Sequence, residues 1–204
     1  MSLVDGPDGR PRCSWGTSTP DYLAYHDEEW GRPVLDDRGV YERLCLEAFQ
    51  SGLSWLTILR KRDNFRAAFD DFDFEAVASF SERDVQRLLR DAGIVRNRAK
   101  IEATIANGKA VAGMATEGES LAQLMWSFAP ARSAAPTSFD DLASTTPESK
   151  AFAKELKGRG FRFIGPTTAY AAMQACGVVN DHLAGCAVRE TVEAERDAAT
   201  ASAG

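Results

Sequence analysis

The chain has 204 residues, 44% of them hydrophobic, and a formal net charge of −6. That length fits one large domain or two small ones with a real core, and no apolar run of about 18 residues offers a membrane span. The charge excludes a uniformly basic nucleic-acid binder, and four cysteines in a chain this long do not suggest a disulfide scaffold.

The opening stretch MSLVDGPDGRPRCSWG is polar and rich in glycine and proline. It does not read as a secretory signal, so a reducing cytoplasm is the expected setting. Residues 1–11 are expected to be flexible and 12–187 to form a single domain. Trp15, Tyr22, Tyr25 and Trp30 then crowd a short segment that also holds Cys13 and His26. Rings usually end in a core.

From here the pattern is helical nearly throughout, and no alternating run is long enough for a confident strand. Asp36 or Asp37 caps a helix reaching about Gln50. Its apolar stripe is Val40, Tyr41, Leu44 and Ala48, and Glu47 projects beside that stripe. A carboxylate there is costly unless paired, and a partly exposed Glu bonded to an arginine is the ordinary outcome. Gln50-Ser-Gly52-Leu53-Ser-Trp55 follows as a tight turn presenting an apolar tip and a ring. Rings plus one carboxylate would suit a flat, positively charged ligand.

Ser54 caps the next helix, and Asp73 opens a short one. Ser81 with Asp84 forms a capping box, and Gly93 is a natural stop. The stretch ERDVQRLLRDAG–IVRNRAKIEATI reads as helix, glycine turn, helix. Such a turn exposes backbone N–H groups to an anion. Arg87, Arg90, Arg96, Arg98, Lys100 and Lys109 outnumber Asp91 and Glu102 there, so a basic strip runs along an acidic protein. A solvated face is the bland alternative. Ile101 and Ile105 mark one helix, and Leu121, Leu124, Met125 and Phe128 another. Residues 129–145 read as a loop. Thr146-Pro147 and Pro166 each start a helix, and Gly177 closes the last strong one. Cys45 and Cys176 lie in apolar stretches as core thiols. Residues 188–204 are expected to be a flexible tail.

Both histidines sit near a cysteine, at opposite ends of the chain. His182 and Cys186 are about one helical turn apart, and Cys13 and His26 would meet through a loop. Two Cys with two His make a common closed zinc set, which is structural because no position stays open for water. A Cys13–Cys186 disulfide is the alternative, and it leaves the histidines unexplained.

Taken together, RCSWG at 12–16, YLAYHDEEWGRP at 22–33, CLEAFQSGLSW at 45–55, DAGIVRNRAKI at 91–101, RGFRFIGPT at 159–167 and MQACGVVNDHLAGC at 173–186 resemble the DNA-3-methyladenine glycosylase I family. The matches run in order through most of residues 12–187. The resemblance implies an all-α fold of the helix–hairpin–helix glycosylase superfamily and base-excision repair of alkylated double-stranded DNA. It implies a structural zinc on Cys13, His26, His182 and Cys186. The recognising glutamate is then Glu47, and the base pocket is Trp15, Tyr22, Tyr25 and Trp55. Gln50, Gly52 and Leu53 would plug the gap left by the extruded base, with Leu53 as wedge. Gly93, Arg96, Arg98 and Lys100 would hold phosphates, and the protein would act as a monomer. Between Glu47 and Gln50 the family commonly has small or amide residues, and this chain has Ala48 and the bulky Phe49. Many superfamily relatives place an aspartate after the hairpin; this chain has none from Ala92 to Phe139, and the family likewise lacks it. Without the resemblance, the residues also allow a damage-binding module that leaves the sugar–base bond intact, or a zinc-stabilised helical protein that never meets DNA.

Overall fold

A computed structural model describes residues 3–132 and 134–202. Residues 1, 2, 133, 203 and 204, which belong to the two expected flexible ends and to the 129–145 loop, lie outside the described residues. Ten α-helices and one two-stranded hairpin make up the described chain, with short 3-10 turns between.

The hairpin corrects the expectation of a flexible start. β1 (Leu3–Asp5) pairs antiparallel with β2 (Pro11–Cys13), Leu3 opposite Cys13. Strands of three residues are too short to show a period-2 pattern. The buried Arg12 holds the unit in place: its Nε donates to both carboxylate oxygens of Asp27, and its Nη2 donates to Asp8.

α1 (Pro20–Glu28) starts on Thr19, whose hydroxyl accepts from the Tyr22 N–H, with Pro20 in the first turn. His26 therefore sits on a helix, and the turn at Ser14–Thr17 joins it to Cys13. α2 (Asp37–Gln50) starts on Asp36, which accepts from the Gly39 N–H. Val40, Tyr41, Leu44, Cys45, Leu46, Ala48 and Phe49 are all buried along it. A helix buried on nearly every side belongs in the middle of a fold.

α3 (Trp55–Ala68) is capped by Ser54, α4 (Phe74–Ala78) by Asp73, and α5 (Glu82–Arg90) by the Ser81–Asp84 box. α6 (Arg98–Thr116) starts on Asn97, α7 (Leu121–Ser127) on Ser120, and α8 (Pro147–Gly158) on Thr146. α9 (Pro166–Ala175) opens on Pro166 after Gly165. Every one of these starts matches a local signal, because a cap satisfies N–H groups that the helix cannot. α2 packs against α3, α6, α7 and α9.

The tail is a further correction. α10 (Arg189–Ser202) is helical. Val192 is fully buried, and Arg196 donates to the carbonyls of Gly177 and Val178. The Ala/Thr/Glu composition hides those anchors, which come from tertiary contact. No helix among the described residues is long and apolar enough to cross a membrane.

Candidate active site and metal centre

A cleft of ≈ 280 Å³ opens where α1, α2, α3 and α9 converge. Trp15, from the turn after β2, and Tyr22 and Tyr25, from α1, form one wall. Glu47 and Gln50 come from the last turn of α2, and Trp55 is the first residue of α3. The rings lock one another. Trp15 meets Tyr22 edge-on at 5.6 Å and Trp30 edge-on at 5.0 Å, while Tyr25 and Trp55 lie 5.3 Å apart at 46°. The Tyr22 hydroxyl accepts from the Leu56 N–H at 3.0 Å. That satisfies a first-turn donor of α3 and ties Trp55 to α1.

All four expected base-pocket aromatics and Glu47 are thus brought together. Trp30, Ala171 and Gln174 also line the cleft and escaped the sequence reading. Trp30 was visible among the clustered rings; Ala171 and Gln174 sit on α9, far along the chain, and nothing local marks them. Gln174 Nε2 donates to Asp181, which also accepts from the Tyr170 hydroxyl.

Glu47 is only 7% exposed. Burial pushes its carboxyl up to about 8, and Arg43 on the preceding turn only partly opposes this. Burial also holds the Tyr25 hydroxyl well above its ordinary range, so it remains a donor. Two buried donors, Trp55 Nε1 and Arg43 Nε, lack an acceptor among the described residues. Phe49 does not narrow the cleft. It is fully buried and packs on Phe65 at 4.6 Å and Phe69 at 5.9 Å.

Beside the cleft, the turn after α2 projects outward. Gly52 takes φ +81°, a conformation that favours glycine, and the Leu53 N–H donates back to the Gln50 carbonyl at 2.6 Å. Leu53 is 42% exposed. The turn is held from below by Lys100, whose Nζ donates to the carbonyls of Phe49 at 2.8 Å and Ser51 at 2.6 Å.

Lys100 is therefore corrected from the expected phosphate contacts. It is buried, and its ammonium satisfies carbonyls at the C-terminus of α2, where a cation is favoured. Gly93 is corrected too, since its N–H donates to Asp91 Oδ1 at 2.7 Å instead of facing outward. Arg98 is exposed but pairs with Glu82 at 3.0 Å and Glu102 at 2.9 Å. Arg96 is exposed and forms no ion pair among the described residues. α5 and α6 do form the expected helix–turn–helix around residues 91–97.

On the far side of Trp15 lies a second cluster. Cys13, His26 and Cys186 are all buried, and their ligand atoms lie within 4.8 Å of one another. His26 Nε2 is 3.6 Å from Cys186 Sγ. Metal–nitrogen and metal–sulfur arms of ~2.1 and ~2.3 Å at a tetrahedral angle give an edge of about 3.6 Å. His26 Nδ1 meets Asp27 Oδ1 at 2.7 Å, the kind of carboxylate support that orients ligating imidazoles. Gly16 makes room for this ring, because a Cβ there would come within 2.6 Å of it. The cysteines are free, so no disulfide joins Cys13 to Cys186. The Cys13 thiol bonded to Cys186 pushes the latter down to about 3, and Cys13 rises in turn.

His182 is adjacent but turned. Its ring centre is 4.7 Å from that of His26, Nδ1 faces Asn180 Oδ1 at 3.2 Å, and Nε2 faces the His26 carbonyl at 3.4 Å. Residues 182–186 form a turn and not the helical spacing expected from sequence. Burial, helped by the nearby His26, lowers the His182 ring to about 4. The structure thus brings three of the four expected ligands into one metal-sized group, with the fourth edge-on to the His26 ring.

A family described as methyladenine glycosylase matches residues 15–190. DNA-3-methyladenine glycosylase 1 of Escherichia coli strain K12 is 47% identical over 177 residues, covering 86% of this chain and 95% of its own length. A crystal structure of 3-methyladenine DNA glycosylase I superposes with a TM-score of 0.84 at 49% identity, covering 86% of this chain and 98% of the other. A variant of 3-methyladenine DNA glycosylase I in complex with 3-methyladenine superposes with a TM-score of 0.83 at 32% identity, covering 87% and 97%.

Proposed function

The chain belongs to the methyladenine glycosylase family, and from that premise we propose how its cleft removes 3-methyladenine from alkylated DNA in base-excision repair. The observation that carries the reading is the buried Glu47 carboxyl inside a ring-lined cleft.

3-Methyladenine in a nucleotide carries a delocalised positive charge. Its glycosidic bond is already weak: it breaks with the electron pair going to the base, which leaves neutral, while a water oxygen bonds to the sugar carbon and gives up a proton. The protein's task is then to extrude, recognise and hold the leaving base. Extrusion costs a few kcal/mol. Stacking on Trp55 returns ~1–3 kcal/mol, and charge-assisted hydrogen bonds to Glu47 return about 1.5–3 kcal/mol. A neutral adenine lacks the charge contribution and stays well paired, so it is left in the duplex. Tyr25 donates its hydroxyl, and Trp15 and Tyr22 wall the pocket. Gln50 and Leu53 fill the vacated space, with Gly52 permitting the turn. The α5–α6 hairpin meets the DNA backbone, and Arg96 supplies the phosphate contact that Lys100 cannot.

Cys13, His26 and Cys186 fit zinc by donor type, spacing and the Asp27 support, and these three with His182 would hold it. Neutral imidazoles and thiolates are the ligating forms, so metal binding there would release protons. Zinc held there supplies structural closure and no reaction chemistry. The protein works as a monomer on double-stranded DNA.

Chromatography of bases freed from methylated duplex DNA tests the central claim. Glu47→Gln should cut 3-methyladenine release by at least about tenfold, the loss of one charge-assisted bond, with fold and metal content unchanged. Undiminished release would remove Glu47 from the mechanism.

A further inference from the structure

One face of α6 holds two exposed apolar side chains. Lys100, near its start, fixes the turn that carries Leu53. Asn107 lies seven residues on, nearly two full turns, and so on the same face. It is 1% exposed and clamps the backbone of Arg162 from both sides: Nδ2 donates to the carbonyl at 3.2 Å, and Oδ1 accepts from the N–H at 2.7 Å. Phe163 comes next, with φ +61°. A left-handed backbone is disfavoured for any residue with a Cβ, and for a bulky ring it is an outlier. The clamp and the buried neighbours Phe161 and Ile164 impose it. The outcome is a phenyl ring held 45% exposed, close to the 42% of Leu53. Strain of this kind gathers at functional sites.

The two anchors are roughly 10 Å apart along α6. The exposed Arg162 flanks the ring. α9 begins just beyond at Pro166 with no side-chain cap, so its first-turn N–H groups are open to phosphate. The same helix carries Gln174 into the cleft wall. An aromatic face on this ledge matches the face of a base of any sequence.

We propose that Phe163 is a second base-contacting residue, stacking on the base left unpaired in the opposite strand once the lesion is extruded and Leu53 occupies the gap. This rests on the repair reading above and extends it from the damaged strand to its partner. The test uses the full chain and a duplex with an abasic-site analogue opposite 2-aminopurine. Wild type should change the 2-aminopurine emission on binding. Phe163→Gly should abolish that change and weaken affinity at least about fivefold. The same variant should melt higher, since glycine accepts the left-handed backbone, and should bind free 3-methyladenine unchanged. Phe163→Trp should retain both affinity and emission change. If Phe163→Gly binds as tightly as wild type with the same emission change, the inference is overturned while the repair reading stands. If wild type itself releases no 3-methyladenine, it is the repair reading that falls.

Discussion

A carboxyl that ionises only near pH 8 is an expensive thing for a fold to keep. Glu47 binds its proton more tightly in the folded chain than in the unfolded one, where its value is the ordinary 4.5. Its contribution to stability is therefore fullest below pH 4.5, declines as pH rises, and is gone above about 8. Replacing it by glutamine removes that decline. The unfolding free-energy difference between Glu47→Gln and wild type, from denaturant melts, should grow in the variant's favour from pH 5 to pH 9, by an amount on the order of a few kcal/mol. Equal gaps at both ends would show that burial does not strain this group. Recognition needs the ionised form, so kcat/KM for base release should rise with pH, reach half its plateau near 8 and level off above that, and this limb should vanish in Glu47→Gln. The sequence marked Glu47 as a charge beside an apolar stripe, because helical spacing determines the face on which it lies. It could not mark Gln174 or Arg43's missing acceptor, since both depend on which distant helices come to rest beside α2.

Helix starts were legible because caps are local chemistry: Asp36, Ser54, Asp73, Ser81 and Thr146 each sit where an unsatisfied N–H needs an oxygen. The three-residue strands were not legible because they are too short to show a period, α10 because its anchors Val192 and Arg196 come from tertiary contact, and the 182–186 turn because it closes on Pro11 and Cys13 at the other end of the chain. Lys100 shows the same limit. Its place in a basic strip suggested a phosphate contact, yet the α2–α6 packing sets its ammonium under the Leu53 turn. Lys100→Met should destabilise the protein by ~1–3 kcal/mol, the cost of leaving buried carbonyls unpaired. It should also weaken binding to abasic DNA while leaving the slope of affinity against salt unchanged. A slope reduced by about one would return Lys100 to the DNA backbone.

At the scale of the molecule, the chain closes on itself. Pro11 accepts from the Ala187 N–H at 2.8 Å, and Cys13 and Cys186 meet beside His26. Structural zinc contributes roughly 10–16 kcal/mol in small peptides, against a whole-domain stability of about 5–15 kcal/mol. Protein purified without added metal should carry one zinc per chain by elemental analysis. Cys186→Ser should lose it and melt at markedly lower temperature, with His182→Ala showing the same loss. Full metal content in His182→Ala would leave three ligands as the whole set.

Trp15 faces His26 at 5.2 Å, and Trp30 faces His182 at 4.7 Å, while both indoles also line the cleft. Half of the four tryptophans therefore look two ways. Their ultraviolet emission is a built-in optical gauge: stripping the chain with a chelator and filling it with a purine should each shift the signal, and a stopped-flow trace could time both events without any added dye.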